Sequence, residues 1–279
     1  MGRGLVETEN DFGSQGTLPT HPELLDWLGS TWIKDGWSRK SILRKILTSQ
    51  TYQQSSVVDR DALSADPKNQ WWARQSRIRV EAEVVRDLAL SASGLLDHRI
   101  GGPGVYPPQP SGVYAFTQRR ASWPTSEGAD RYRRGMYTFF MRSAPHPMLT
   151  TFDSPRFNTT CTRRDRSNTP LQSLTMSNDQ SMVEFARGFA ARIIASSEDA
   201  DENRLALAFN IAMSRAPSSL EMERLTAYLD KVLDDFRQKP DAARALLGVG
   251  ESTENFEEYA AWTAICRVLL NLDEFITRE

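Results

Sequence analysis

Between Ile78 and Asp97 the apolar residues Val80, Val84, Val85, Leu88, Ala92 and Leu95 fall on one stripe of a helix. Such a stripe must be buried against another element. The same spacing recurs in Leu24, Leu25, Leu28 and Trp32, in Ile42, Leu43, Ile46 and Leu47, and in Val183, Ala186, Phe189, Ala190 and Ile193. Helix-start chemistry precedes these runs. Thr20, Pro22 and Glu23 read as a hydroxyl cap, a first-turn proline and an acid, and Ser38 opens the second run. Thr169-Pro170-Leu171-Gln172 is a further capped start, leading into two short helices with a break near Ser177-Asn178. Ser218 with Glu221 forms a capping box for a helix over 219–236, flanked by helices near 202–213 and 255–275. The aromatic run YRRGMYTFFMR at 132–142 fits a strand or a helix equally. The expected fold is mainly α: a multi-helix globular domain over 1–279, with long irregular loops and at most a short strand pair.

Residues 52–70 read as a polar connector, and 101–131 as a long irregular loop rich in glycine and proline. Loops of that length are uncommon unless they are functional or mobile. Gly101-Gly102-Pro103-Gly104 lacks the lysine and the strand-to-helix context of a phosphate loop. Trp27, Trp32, Trp37, Trp71 and Trp72 occupy helical or near-helical positions, which favours packing over a sugar-stacking platform.

The formal charge is −2, so no global attraction to nucleic acid or anionic membrane follows. Its distribution is uneven. Residues 119–166 carry ten arginines and four acids, while 198–279 carry nine basic and seventeen acidic groups. Arginine outnumbers lysine 28 to 6, and its planar fork suits carboxylates and phosphates. Cys161 and Cys266 do not make a disulfide framework and are expected as free thiols. His21, His98 and His146 are far apart, so no metal site is expected. There is no haem-attachment CxxCH, no apolar run of membrane-spanning length and no signal-peptide core in the first twenty residues.

The segment 151–174, TFDSPRFNTTCTRRDRSNTPLQSL, concentrates the chemistry. Largely polar, it ends on a built-in helix start, so 151–170 is expected as an Arg-rich loop docked on the helices. The candidate polar or anion site is Asp153, Arg156, Cys161, Arg163, Arg164, Asp165, Asn168, Thr169 and Gln172. The arginines can clamp an anion beside the donors of the helix start at Thr169, or pair with Asp153, Asp165 and the acidic C-terminal third. Asp153 and Asp165 are the only acids there and would be the acid and base of a hydrolase. Cys161 as a nucleophile would need His146, and a structural cysteine is the commoner outcome. Capping accounts for Asn168, Thr169 and Gln172. No nucleic-acid-binding module accompanies the arginines.

Successive blocks carry a family resemblance: GRGLVETENDFGSQGTLPTHPELLDWL, SILRKILTSQTYQQSS, RVEAEVVRDLALSASGLLD, GGPGVYPPQP, YTFFMRSAPHPMLTTFDSPRFNTTCTRRDRSNTPLQSLTMSND and LLNLDEFITRE. Together they resemble the planctomycete-specific domain PSD-1, domain of unknown function 1553 (DUF1553). The family's recurrent polar positions correspond to Asp153, Cys161, Arg164, Asn168, Thr169, Pro170, Gln172, Asn178 and Asp179. The resemblance implies an extracytoplasmic role in a large exported bacterial protein. The upstream domains would then be partners and could carry c-type haem, with no cofactor held by this chain. It also implies an N-terminally incomplete domain, since relatives carry residues of the same domain before GRGLV. No catalytic residue comes with the resemblance. A scaffold or binding module is the leading expectation, with a carbohydrate-active hydrolase or an anion- or polysaccharide-binding module as alternatives.

Overall fold

A computed structural model describes residues 1–11, 13–114, 122–196, 200–248 and 255–278. Residues 115–121 of the expected 101–131 loop therefore lie outside the described residues. The chain divides into two units, 1–79 with 277–279, and 80–276.

The first unit holds α1 (Pro22–Lys34), α2 (Arg39–Leu47) and α3 (Arg60–Ala65). It also holds β1 (Ile78–Arg79), paired antiparallel with β2 (Thr277–Arg278). Pro22 opens α1 as expected, but the capping position is His21, while the Thr20 hydroxyl turns to the Leu5 carbonyl. Ser38 caps α2 by accepting from the Ser41 amide. The connector expected at 52–70 contains α3, whose start is capped by Asp59. None of these three helices has a buried residue. Trp27, Trp37 and Trp71 are more than half exposed, so core packing does not explain them.

The second unit contains α4 (Ala82–Ser93), α5 (Pro147–Thr151), α6 (Pro170–Asn178), α7 (Gln180–Ile194), α8 (Asp201–Met213), α9 (Ser219–Gln238), α10 (Pro240–Leu247), α11 (Phe256–Leu270) and α12 (Asp273–Ile276). About half of the chain is helical and strand is minimal, so the fold is mainly α. The expected 78–97 helix is shorter at both ends. It begins at Ala82 and stops at Gly94, whose left-handed backbone (φ 75°) closes the last turn. The apolar core lies where α7 packs against α11 on one side and α4 on another. It is filled by Phe185, Phe189, Ile193, Trp262, Ile265, Leu269, Val85 and Leu90, all essentially inaccessible to solvent. The break after α6 comes at Asp179, which caps α7 by accepting from the Ser181 amide. Among the described residues no helix is long and apolar enough to cross a membrane.

The run 132–142 is neither strand nor α-helix. It carries the end of a 3-10 turn at 128–132, a second at 135–137 and isolated bridges to Asp97 and Val105. Its course is fixed by contact with α4: Asp87 accepts from the Gly135 amide (2.6 Å) and from Arg134 Nε (2.9 Å). A Cβ at position 135 would lie 2.6 Å from the Glu83 carbonyl oxygen and 2.8 Å from its Cα. Only glycine allows that approach. Gly135→Ala should therefore cost about 1–3 kcal/mol of stability, the range for overpacking a tight contact, and urea denaturation will measure it.

Candidate functional site

Asp153 closes α5 in a left-handed conformation (φ 62°), a backbone that short polar side chains tolerate better than most. That turn aims its carboxylate across the loop at Ser167. The Ser167 amide donates to Oδ2 at 2.8 Å, and the Ser167 hydroxyl lies 3.0 and 2.8 Å from Oδ1 and Oδ2. Buried Gln172, in the first turn of α6, completes the clasp. Its Nε2 donates to the Thr151 carbonyl (3.0 Å) and to the Ser167 hydroxyl (3.1 Å), and its Oε1 accepts from the Thr169 amide (3.3 Å). Thr169 and Gln172 thus form a capping box at the capped start expected from the sequence, and Gln172 also ties α6 to the end of α5. The two ends of the Arg-rich loop meet here.

Its middle is anchored on α4. Arg164 Nη1 bonds Glu83 Oε2 at 2.6 Å and lies 3.0 Å from Glu81 Oε2, while Arg166 lies 3.8 Å from Glu81 Oε1. Burial works against the Arg164 charge, but the bond to Glu83 prevails and raises its pKa above the ordinary value. The acids that pair with these arginines come from the start of α4, not from Asp153, Asp165 or the acidic C-terminal third.

The remaining candidates face solvent. Arg156, Arg163, Asp165 and Asn168 are exposed, and their side chains make no hydrogen bond or ion pair among the described residues. Asp165 is not joined to Asp153 by any bond. Cys161 is exposed, and its thiol donates to the Arg163 carbonyl (3.1 Å). Cys266 is fully buried in α11, and burial pushes its thiol pKa up. Both are free thiols. A thiol reagent applied to folded protein should label one cysteine per chain, and the second should react only after denaturation.

A second polar cluster went unsignalled in the sequence. Glu184, on α7, accepts from Arg131 Nε and Nη2 (2.7 and 2.6 Å) and from the Tyr132 hydroxyl (2.7 Å). Buried Arg86 donates to the Arg131 carbonyl (2.7 Å) and stands over the Phe185 ring at 5.2 Å. Burial pulls its pKa down to about 10 against the pull of Asp87, Asp179 and Glu184. Each residue reads alone as a surface charge on a helix or loop, and only the fold brings them together. His146 is buried as well, with Nε2 donating to the Pro108 carbonyl (3.0 Å), far from the role of partner to Cys161. No group of three or more metal-ligating side chains occurs among the described residues.

Burial alone would raise the Glu184 pKa, but the bonds from Arg131 and Tyr132 hold it below the ordinary carboxylate value. A carboxylate depressed in the folded state contributes stability above its unfolded pKa and loses it as pH falls through the folded one. Glu184→Gln should therefore destabilise the protein at neutral pH. The gap from wild type should narrow as pH falls below about 4, as thermal unfolding across pH will show.

No curated protein and no solved structure matches the chain. A family model described as PSD1, protein of unknown function (DUF1553), matches residues 1–229 of the 279. The chain belongs to the PSD1 (DUF1553) family.

Proposed function

We propose that the chain is a non-catalytic scaffold or binding module of an exported bacterial multidomain protein. It would act outside the cytoplasm alongside upstream domains, which could carry c-type haem. The observation that carries the non-catalytic part is the state of Asp153: both of its carboxylate oxygens are engaged by Ser167. A general acid or base must be free to exchange a proton with substrate. Asp153 is instead used to close a loop. The same holds for Arg164, held by Glu83. The exported setting and the haem-bearing neighbours rest on family resemblance.

A second reading is favoured by Arg156 and Arg163, two exposed guanidinium groups without an acid beside them among the described residues. They suit an anionic ligand, including an acidic polysaccharide. A carbohydrate hydrolase using Asp153 and Asp165 is the reading the geometry favours least, since nothing frees Asp153 for proton transfer.

Asp153→Asn separates the readings, because asparagine also tolerates the left-handed turn. It removes the charge and one acceptor of a charge-assisted clasp, so stability should fall by about 1.5–3 kcal/mol. For a domain of this size that is a loss of roughly 3–10 °C in Tm. A variant as stable as wild type would contradict the scaffold role. Glycan hydrolysis by wild type that is lost in a stably folded Asp153→Asn would establish the enzyme instead.

A further inference from the structure

The four apolar residues of α2 divide between two sides of the helix. Ile42 and Ile46 are half-buried beside Ser41 and Lys45, which is the single stripe that packing requires. Leu43 and Leu47, one turn apart, are left 54% and 47% exposed. The other exposed residues of α2 are Arg39, Lys40 and Arg44, so its solvent face consists of two leucines and three cations. The Trp37 indole, 62% exposed, stands just before the Ser38 cap. We propose that this face of α2, with Trp37, lies on an anionic phospholipid surface.

The face is held in shape from behind. Trp37 adopts a left-handed backbone (φ 62°), which is uncommon for a bulky residue. Its amide donates to the Trp32 carbonyl (2.9 Å), and its ring packs edge-on to the Trp32 ring (5.2 Å, 64°). A strained turn thus holds an indole that stays largely in solvent, where the fold itself gains little from it. Lys45 pairs with Asp35 (2.6 Å), which also accepts from the Ser41 hydroxyl, so the acid of this turn is occupied internally. The side chains of Arg39, Lys40 and Arg44 meet no acid among the described residues. From Gly36 to Val58 the sequence holds four basic residues and no acidic one. Salt screens charges beyond about 8 Å, so this local patch acts despite the formal charge of −2.

The chemistry of the face then selects the partner. A second copy docked face to face about a twofold axis would set the three cations against their own equivalents. A nucleic acid would take the cations but press Leu43 and Leu47 against phosphates. A lipid surface answers both groups. Phosphate headgroups receive the cations, while leucines and an indole settle at the boundary between headgroups and acyl chains. At nine residues α2 is about 14 Å long, against about 30 Å for a bilayer core, so it lies on the surface and does not cross. This face uses none of the Arg-rich loop, so it stands or falls independently of the scaffold reading.

Co-sedimentation of the full chain with vesicles tests it, using phosphatidylcholine alone and phosphatidylcholine mixed with phosphatidylglycerol. The chain should bind the mixed vesicles in preference, and binding should weaken in about 1 M salt, where screening sets in beyond about 3 Å. Arg44→Gln should weaken it about fivefold, the worth of one cation at an anionic surface. Arg224→Gln, which removes an exposed arginine of α9, should leave it unchanged. Leu43→Gln with Leu47→Gln keeps helix-forming residues at two exposed positions, so circular dichroism should match wild type while binding is lost. The proposal is overturned if the mixed vesicles are not bound, or are bound no better than phosphatidylcholine alone. It is equally overturned if the leucine variant binds like wild type, or if Arg44→Gln and Arg224→Gln weaken binding alike. A dimer in size-exclusion chromatography that the leucine variant dissociates would make a second copy the occupant instead.

Discussion

The second unit depends on burying one helix, α7, on several sides at once, which is possible only because Ser181, Glu184, Arg187 and Arg192 are each given a partner. Its apolar face meets α11 and α4 through Phe185, Phe189 and Ile193. Its flanks would otherwise carry uncompensated charge into that packing, at a cost of several kcal/mol per group. Glu184 is met by Arg131 and Tyr132, and Arg187 donates to the Leu246 carbonyl at the end of α10. The Tyr259 hydroxyl of α11 donates back to the Arg187 carbonyl. These bonds do more than neutralise. They draw the 128–137 loop, α10 and α11 to the same helix, so the polar accounts of α7 set the positions of three neighbouring elements.

The N-terminal end of α7 then explains why its surroundings are ordered. There, Asp179 caps the helix at the Ser181 amide, and the Ser181 hydroxyl donates to the Pro108 carbonyl. Just upstream, α6 begins with Gln172 reaching back to Thr151 and Ser167. A loop rich in arginine is thereby clasped at both ends by neutral hydrogen-bonding groups around one carboxylate, and its guanidinium groups turn outward to α4 or to solvent. The proposed scaffold or binding role rests on this closure, which leaves both Asp153 oxygens engaged by Ser167. Such loops are ordered at the expense of chain entropy, which the clasp must offset.

Legibility in the sequence followed the range of the interaction. Most local signals were sound: Ser38, Thr169 with Gln172, and Ser218 with Glu221 cap helices where their spacing says they should, whereas Thr20 gives way to His21. The helix α10 escaped notice although Pro240 at its start and Gly248 at its end are ordinary boundary residues, because eight residues give too little apolar periodicity. Long-range partners were invisible. Glu81 and Glu83 sit some eighty residues from Arg164, and nothing in a surface-like pair of acids marks them as its counter-ions. Ser167 was one hydroxyl in a polar run, and only the left-handed turn at Asp153 selects it. The tryptophans misled for a different reason. Helical spacing says which residues share a face, but not whether anything covers it, and Trp27 and Trp37 are left more than half exposed while Trp262 takes the core.

The claim that the Arg-rich loop is clasped shut can be read directly from amide hydrogen exchange at single-residue resolution. The Ser167 amide donates to Asp153 and the Thr169 amide to Gln172, although both precede α6. If the clasp holds in solution, both amides exchange within about tenfold of the rate of the first bonded turn of α6, since they open only with it. Exchange of Ser167 at the rate of an unstructured peptide, with α6 itself protected, would show an open loop and contradict the account.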